Sequence, residues 1–434
     1  MPSRARRLST AFTGMAVDIG ALRESRPFRR LTAGQLVSLI GRQITTVAVP
    51  YQVYTTTGSP VLVGLLGVAQ VVPLISVSLG AGSIADRVDR RRLLLVTQAL
   101  LALCSLALLV GALVHPPVVF VFAVVAIASS VAALDSPTRT AMVPNLVSPG
   151  RLAGALSLNI AMFQTSLVAG PALGGIVIAN LGLAGAYLVD VASFAASMLA
   201  VWLLPAQPPH STVREPMIAA LRRGFAFIRR RRVILGTYAM DLSAMIFGLP
   251  RAVFPVLAAA TFHSGAQGLG YLYAAPGVGA VLAALSSGWL SRSGRLGRVV
   301  VVSIAVWGVA IIAFGFVSSL WIGLLWLAVA GAADSISAVC RNTIQQTLTP
   351  DELRGRLTAA YFMVVVGGPF IGDFEAGLVA GTTSARVSVV SGGVLSLIGL
   401  VVAAVAFPQV WNYRGRASDV PPAVADDALA GPPV

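Results

Sequence analysis

Twelve times along this chain, a run of about twenty mostly apolar residues is followed by a short gap carrying polar residues, arginine above all. The hydrocarbon core of a bilayer is roughly 30 Å thick and takes about 20 residues of α-helix to cross, and in lipid a helix satisfies its own backbone. The runs fall at 31–54, 61–85, 93–114, 118–136, 155–180, 183–204, 233–258, 269–290, 299–317, 320–340, 357–379 and 387–407. A water-soluble fold is excluded: charged residues make up only 11% of the chain, against about 25% in ordinary globular proteins, and 56% of it is apolar. The expected fold is an all-α membrane protein of twelve transmembrane helices.

The formal net charge of +15 would suggest nucleic acid in a soluble protein, but here the positions of the charges give a different reading. Every basic residue is arginine, and all but Arg42, Arg251 and Arg386 fall in alternate gaps or at the adjoining helix ends. Short loops rich in Lys and Arg stay cytoplasmic, so both termini are expected inside a cell (inner or plasma) membrane, with the bilayer rather than nucleic acid as partner. Residues 1–30 lack the apolar core of a signal peptide and read as a retained cytoplasmic segment. Four prolines, Pro205, Pro208, Pro209 and Pro216, and an arginine-rich stretch mark 205–232 as a cytoplasmic linker. Within it, Met217, Leu221, Phe225 and Ile228 opposite Arg222, Arg223 and Arg229 predict a basic amphipathic helix on the inner leaflet. The linker separates two bundles of six, 31–204 and 233–408, and 409–434 reads as a disordered cytoplasmic tail.

The halves echo each other. Gly170, Pro171, Gly174 and Gly175 in the fifth run recur as Gly368, Pro369 and Gly372 in the eleventh. Pro149, Leu152, Gly154 and Leu156 recur as Pro350, Leu353, Gly355 and Leu357, and Gly82 with Arg87, Arg90 and Arg91 is matched loosely by Gly288 with Arg292, Arg295 and Arg298. Two bundles related by a pseudo-twofold and joined by a polar linker form the architecture in which the halves rock about a midplane cavity.

The stretch 82–91, with Gly82, Asp86, Arg87, Arg90 and Arg91, resembles the cytoplasmic loop signature of the major facilitator superfamily, although Asp89 stands where that family usually has glycine. The resemblance implies that Asp86 latches an inner gate against the start of the eleventh helix near Gly355 and Arg356, where free N–H groups favour an anion. Arg292 occupies the acid's place in the second copy, so no matching latch is expected there. Stretches 47–54, with Thr57, Gly58 and Ser59 after it, 271–279, and 346–350 leading to Gly355 and Arg356 are similar to the enterobactin-exporter-like branch. That likeness implies efflux of siderophores or drug-like molecules in exchange for protons. The Gly170-Pro171 motif is similar to that of drug:proton antiporters; Pro171 removes a helix hydrogen bond and favours a bend, and glycines one turn apart permit close packing.

Ionisable residues inside the runs are site candidates, because a charge at a helix centre costs at least ~2.5–3.5 kcal/mol. Arg42 lies roughly 17 Å from the inner end. It keeps its proton and so requires an anionic partner or a wet cavity, which makes it the leading substrate contact, with Gln35, Gln43, Arg251 and Asp334 as further cavity candidates. Asp135 and Arg139 share a helix face four residues apart, and with Arg341 they lie toward the cytoplasmic ends, which suits a gate. Asp241 has no opposite charge three or four residues away, and an isolated carboxyl in lipid holds its proton more firmly, as a proton carrier requires. It is the first coupling candidate, ahead of Asp373 and Glu375; Asp190 is expected to be structural.

The function expected is export of an amphiphilic small molecule by proton exchange, with an importer or an uncoupled facilitator as the alternative. A proton crossing 100 mV releases ~2.3 kcal/mol, enough for a roughly fiftyfold gradient of a neutral solute. A chain without lysine has no phosphate-binding Gly-x-x-x-x-Gly-Lys loop, so ATP is not the direct driver. Cys104 and Cys340 sit far apart within apolar runs, and His115, His210 and His263 fall in loops with no catalytic or metal-ligand spacing. No enzyme activity, cofactor or metal is expected, and the protein is expected to be a monomer.

Overall fold

A computed structural model describes residues 20–208, 217–286, 294–350 and 353–415. Among these residues the chain is helical without strands. We label the main helices α1 (Arg26–Thr57), α2 (Pro60–Arg87), α3 (Arg90–Val114), α4 (Val118–Leu146), α5 (Leu152–Trp202), α6 (Met217–Arg230), α7 (Arg232–Phe247), α8 (Gly265–Ser286), α9 (Leu296–Phe316), α10 (Leu320–Leu348), α11 (Arg354–Thr382) and α12 (Ala385–Ala406). Nine stretches of the described residues have the length and apolarity of a membrane crossing. α1 and α11 are of similar length and pack among them. The outer surface is apolar: Leu113, Trp321, Leu325 and Val405 are all more than 60% exposed, as suits side chains that face lipid.

Turn chemistry sets the helix ends. α1 stops at Gly58, whose φ of 65° is one that L side chains rarely adopt, and its N–H donates to the Tyr54 carbonyl. Ser59 then caps α2, its hydroxyl accepting from the Leu62 N–H, and Pro60 fills a first-turn position where no donor is needed. The fifth and sixth predicted runs form two helices that meet without a loop at Gly182 (φ 68°, ψ −175°), and α5 denotes the pair. That single glycine turns the chain back, so that the second arm of α5 lies antiparallel against α1.

The seventh run is not one helix, as its even apolarity had suggested. α7 ends at Gly248, and the chain continues through a 3-10 turn (Arg251–Val253) and a π turn (Leu257–Thr261). The cause is Pro250, which lacks a donor and disfavours helix at the residue before it. The break places Arg251 at a helix interruption.

The amphipathic helix α6 forms, and two residues of the expected stripe turn inward. Leu221, Phe227 and Ile228 are buried, whereas Phe225 is 40% exposed. The helix packs beneath α11 and α2, so neighbouring helices cover part of the face expected to meet the inner leaflet.

The two halves meet along α2 with α11 and along α5 with α8. At both contacts glycine brings backbone against backbone. A methyl group on Gly64 would sit 2.5 Å from the Asp373 carbonyl oxygen, and one on Gly377 2.6 Å from that of Pro60. Across the other seam, one on Gly175 would sit 2.7 Å from the Ala266 oxygen, and one on Gly270 2.5 Å from that of Pro171. Both seams lie toward the Gly58 and Gly182 end.

The repeated glycine motif also packs each helix within its own half. Gly170 and Gly174 press α5 onto Gln43 and Ile44 of α1, and Gly368 and Gly372 press α11 onto Met245 and Ile246 of α7. Helical dihedral angles continue through Pro171. The segment before Gly20, the loop with Gly288 and Arg292, and the tail beyond Gly415 lie outside the described residues, as do the side chain of Asp86, that of Arg356 and the surroundings of Gly82 and Gly355.

Candidate functional site

Among the described residues, four clusters around charged side chains lie inside the bundle. In the first half, Asp135 of α4 is buried and accepts from the Thr97 hydroxyl (3.0 Å) and from Nη2 of Arg139 (3.4 Å). Nη2 of Arg42, from α1, stands 3.8 Å from the same carboxylate. The one-face pairing of Asp135 with Arg139 is therefore present, and Asp135 also supplies the partner Arg42 requires. In the second half the signs reverse. Arg341 of α10 lies between two acids, 2.5 Å from Asp241 of α7 and 3.5 Å from Asp334 of its own helix, and it donates to Ser337 Oγ at 3.1 Å.

Asp241 is thus not the isolated carboxyl its own helix suggests; its counter-ion comes from another helix, a hundred positions along the chain. The Tyr238 hydroxyl donates to Gln345 Oε1 (2.9 Å) and ties the same two helices together.

The third cluster joins Arg251, at the helix interruption, to Asp373 of α11 at 2.8 Å. The Tyr273 hydroxyl donates to the Arg251 carbonyl (3.2 Å), and the guanidinium lies 6.0 Å from the centre of the Phe370 ring. Glu375, two residues beyond Asp373, is half-buried and makes no ion pair among the described residues. In the fourth cluster Asp190 accepts from the hydroxyls of Thr45 (2.7 Å), Ser105 (2.7 Å) and Ser193 (3.4 Å). Gly41 permits this close approach, because a methyl there would sit 2.8 Å from Asp190 Oδ1.

The first, third and fourth clusters border a cavity of about 280 Å³ walled by both halves, and the Arg341 cluster lies outside its wall. Arg42 and Asp190 face it from the first half and Arg251 and Asp373 from the second, with Gln70 and Tyr273 among the other lining residues. Gln35, Gln43 and Asp334 are not in its wall. Gln43 instead packs beneath Gly170 and accepts from the Thr46 hydroxyl. Asp190 borders the cavity although its helix gave no reason to expect it there; the signal is the fit of Gly41 against it, which sequence does not display. Among the described residues no group of three His, Cys, Asp or Glu could hold a metal.

Beside the signature loop, arginines reach main-chain carbonyls of other helices. Nη1 of Arg90 donates to the Ala141 carbonyl (3.0 Å), and Arg91 reaches the carbonyls of Val201 (3.4 Å) and Trp202 at the end of α5. Asp89, the departure from the family glycine, has its own work. One oxygen caps α3 at the Arg92 N–H (3.0 Å), and the other accepts from the N–H of Gln207 at the start of the linker (3.1 Å). An acid immediately before a helix is a readable N-cap signal, and this one was missed.

Long apolar helices in two halves that enclose a charged cavity define a multi-pass membrane transporter of the major facilitator kind. The fold is similar to that of the nucleoside transporter NupG (TM-score 0.70, 15% identity, covering 90% of this chain and 100% of that one). It is also similar to that of a bacterial homologue of the iron transporter ferroportin in its inward-facing state (TM-score 0.66, 18% identity, 89% and 98%). Residues 20–426 match the family described as transmembrane secretion effector, and the chain belongs to that family within the major facilitator superfamily. Among its relatives are the enterobactin exporters EntS of Citrobacter koseri, 29% identical over 89% of this chain and 93% of that protein, and of Escherichia coli O81, 28% identical over the same shares.

Proposed function

We propose that the protein exports an amphiphilic small molecule, siderophore-like or drug-like, by alternating access in exchange for protons. Twelve crossing helices form two pseudo-symmetric bundles, 31–204 and 233–408, joined by the linker 205–232, in the cell membrane with both termini cytoplasmic. One observation carries the reading: a single cavity takes its charged wall from both halves, Arg42 from one and Arg251 with Asp373 from the other. The halves meet through two glycine seams toward one end, so a rocking motion would open that cavity to either side.

The coupling candidates are Asp241 and Asp373, each held by an arginine, with Glu375 third. Protonation of either aspartate would release its arginine and so alter contacts between helices. Asp86, Arg87, Gly355 and Arg356 would form the cytoplasmic gate, supported by Arg90, Arg91, Asp135, Arg139 and Arg341. The names of the exporters similar to this chain support the direction and the size class of the cargo.

The test is a flux panel in inside-out vesicles under an imposed pH gradient, comparing catecholate siderophores with cationic and neutral drugs. Gradient-dependent accumulation of at least one class is expected. Transport that persists unchanged after the pH gradient and potential collapse would replace exchange with facilitated diffusion.

A further inference from the structure

The four charged residues in the cavity wall sum to zero, but they are not equally presented. The side chains of Arg42 and Arg251 are 33% and 32% exposed, whereas Asp373 is 14% exposed and Asp190 is buried. The acids are also partly occupied, although Asp373 Oδ1 is buried without a hydrogen-bond partner. The Asp190 carboxylate accepts three hydroxyls, and Asp373 is held by Arg251 at 2.8 Å. A ligand entering the cavity therefore meets the arginines first.

Both arginines have donors to spare. A guanidinium carries five N–H groups. Among the described residues the Arg42 side chain makes no hydrogen bond, and its ionic contact with Asp135 is 3.8 Å long. Arg251 spends one nitrogen on Asp373, and its Nε is buried without a hydrogen-bond partner. It also sits where the helix is interrupted, the kind of site at which membrane transporters present polar groups to a ligand. Apolar side chains such as Val49, Leu66, Leu101 and Phe370 supply much of the remaining wall, beside polar ones such as Gln70 and Tyr273.

We infer that this cavity binds an organic anion: an apolar body carrying two acidic groups, one received by Arg42 and the other by Arg251. Planar guanidinium groups match carboxylate oxygens in pairs, so each arginine can take one acid. Because the arginines come from different halves, the ligand bridges the bundles and both of its charges are read at once. The inference rests on the transport reading above and narrows its cargo by charge.

Isothermal titration calorimetry on the purified full-length protein tests it with three probes of one shape: isophthalate, its neutral diamide isophthalamide, and the monoacid benzoate. Isophthalate is expected to bind at least about tenfold more tightly than benzoate, and the diamide not at all. Arg42→Gln and Arg251→Gln should each weaken isophthalate about tenfold, to the benzoate level, while the lysine variants, which keep the charge but not the paired geometry, should lose less. Equal binding of diacid and diamide by the unaltered protein, or no isophthalate binding at millimolar concentration, overturns the inference without reliance on any variant. Proton-driven flux of a cationic drug without isophthalate binding would remove the anion and leave transport standing. Isophthalate binding with no flux of any solute would do the reverse.

Discussion

Among the described residues Asp241 and Arg341 form the closest ion pair in the bundle interior, and both side chains are at most 3% exposed. Arg341→Gln leaves the buried Asp241 carboxylate unanswered, which costs roughly 3–5 kcal/mol, whereas Asp241→Asn leaves Arg341 still facing Asp334 and costs less. Arg341→Gln should therefore lower the melting temperature of the purified protein, Asp241→Asn should abolish pH-driven efflux, and Arg341→Gln with Asp241→Asn should recover part of the stability but not efflux. Thermal unfolding and vesicle flux measured on the same preparations check both parts; equal stability of Arg341→Gln and the double variant would remove the pair from the account. Such partners were not legible beforehand. Sequence spacing exposes neighbours on one helix, as with Asp135 and Arg139, but the partners of Arg42, Asp241, Arg251 and Asp190 come from other helices. Each of those residues could be flagged as needing company, since lipid leaves no other option, yet its companion depended on how the helices pack.

Helices were far more legible than their contacts, because a bilayer imposes one length and one composition on every crossing. The same uniformity hides interruptions: Pro250 lies within an unbroken apolar run, and hydropathy does not register that the backbone leaves the helix there. The glycine echo between the fifth and eleventh runs was visible, but its partners, α1 and α8 for one copy and α7 and α2 for the other, were not. The seams give a prediction for these elements. Gly64→Val places its Cβ against the Asp373 carbonyl, and overpacking of this kind costs about 1–3 kcal/mol. The seam should part more often, by roughly tenfold or more. Cys104 lines the cavity and reports the change: in a Cys340→Ala background, its labelling by an impermeant maleimide from the outer face should accelerate accordingly. An unchanged rate would mean that the α2–α11 contact does not gate the cavity.

At the scale of the whole molecule, one end is marked by arginine. Arg30 and Arg91 donate to carbonyls at the end of α5, and Arg151 pairs with Glu24 at 3.3 Å beside the start of α1. Because arginine-rich loops stay inside, fluorescent-protein fusions at either terminus should both fluoresce, and alkaline phosphatase at the same positions should be inactive. Active phosphatase at one terminus only would refute an even number of crossings. The seams at the other end have a further consequence. Surfaces made of main chain and hydrogen atoms can separate and rejoin without any rotamer having to flip, and their adhesion is dispersive, indifferent to acidity or ionic strength. The joint itself would then take no part in deciding when it opens, and the timing would be left to the charged interior beneath it.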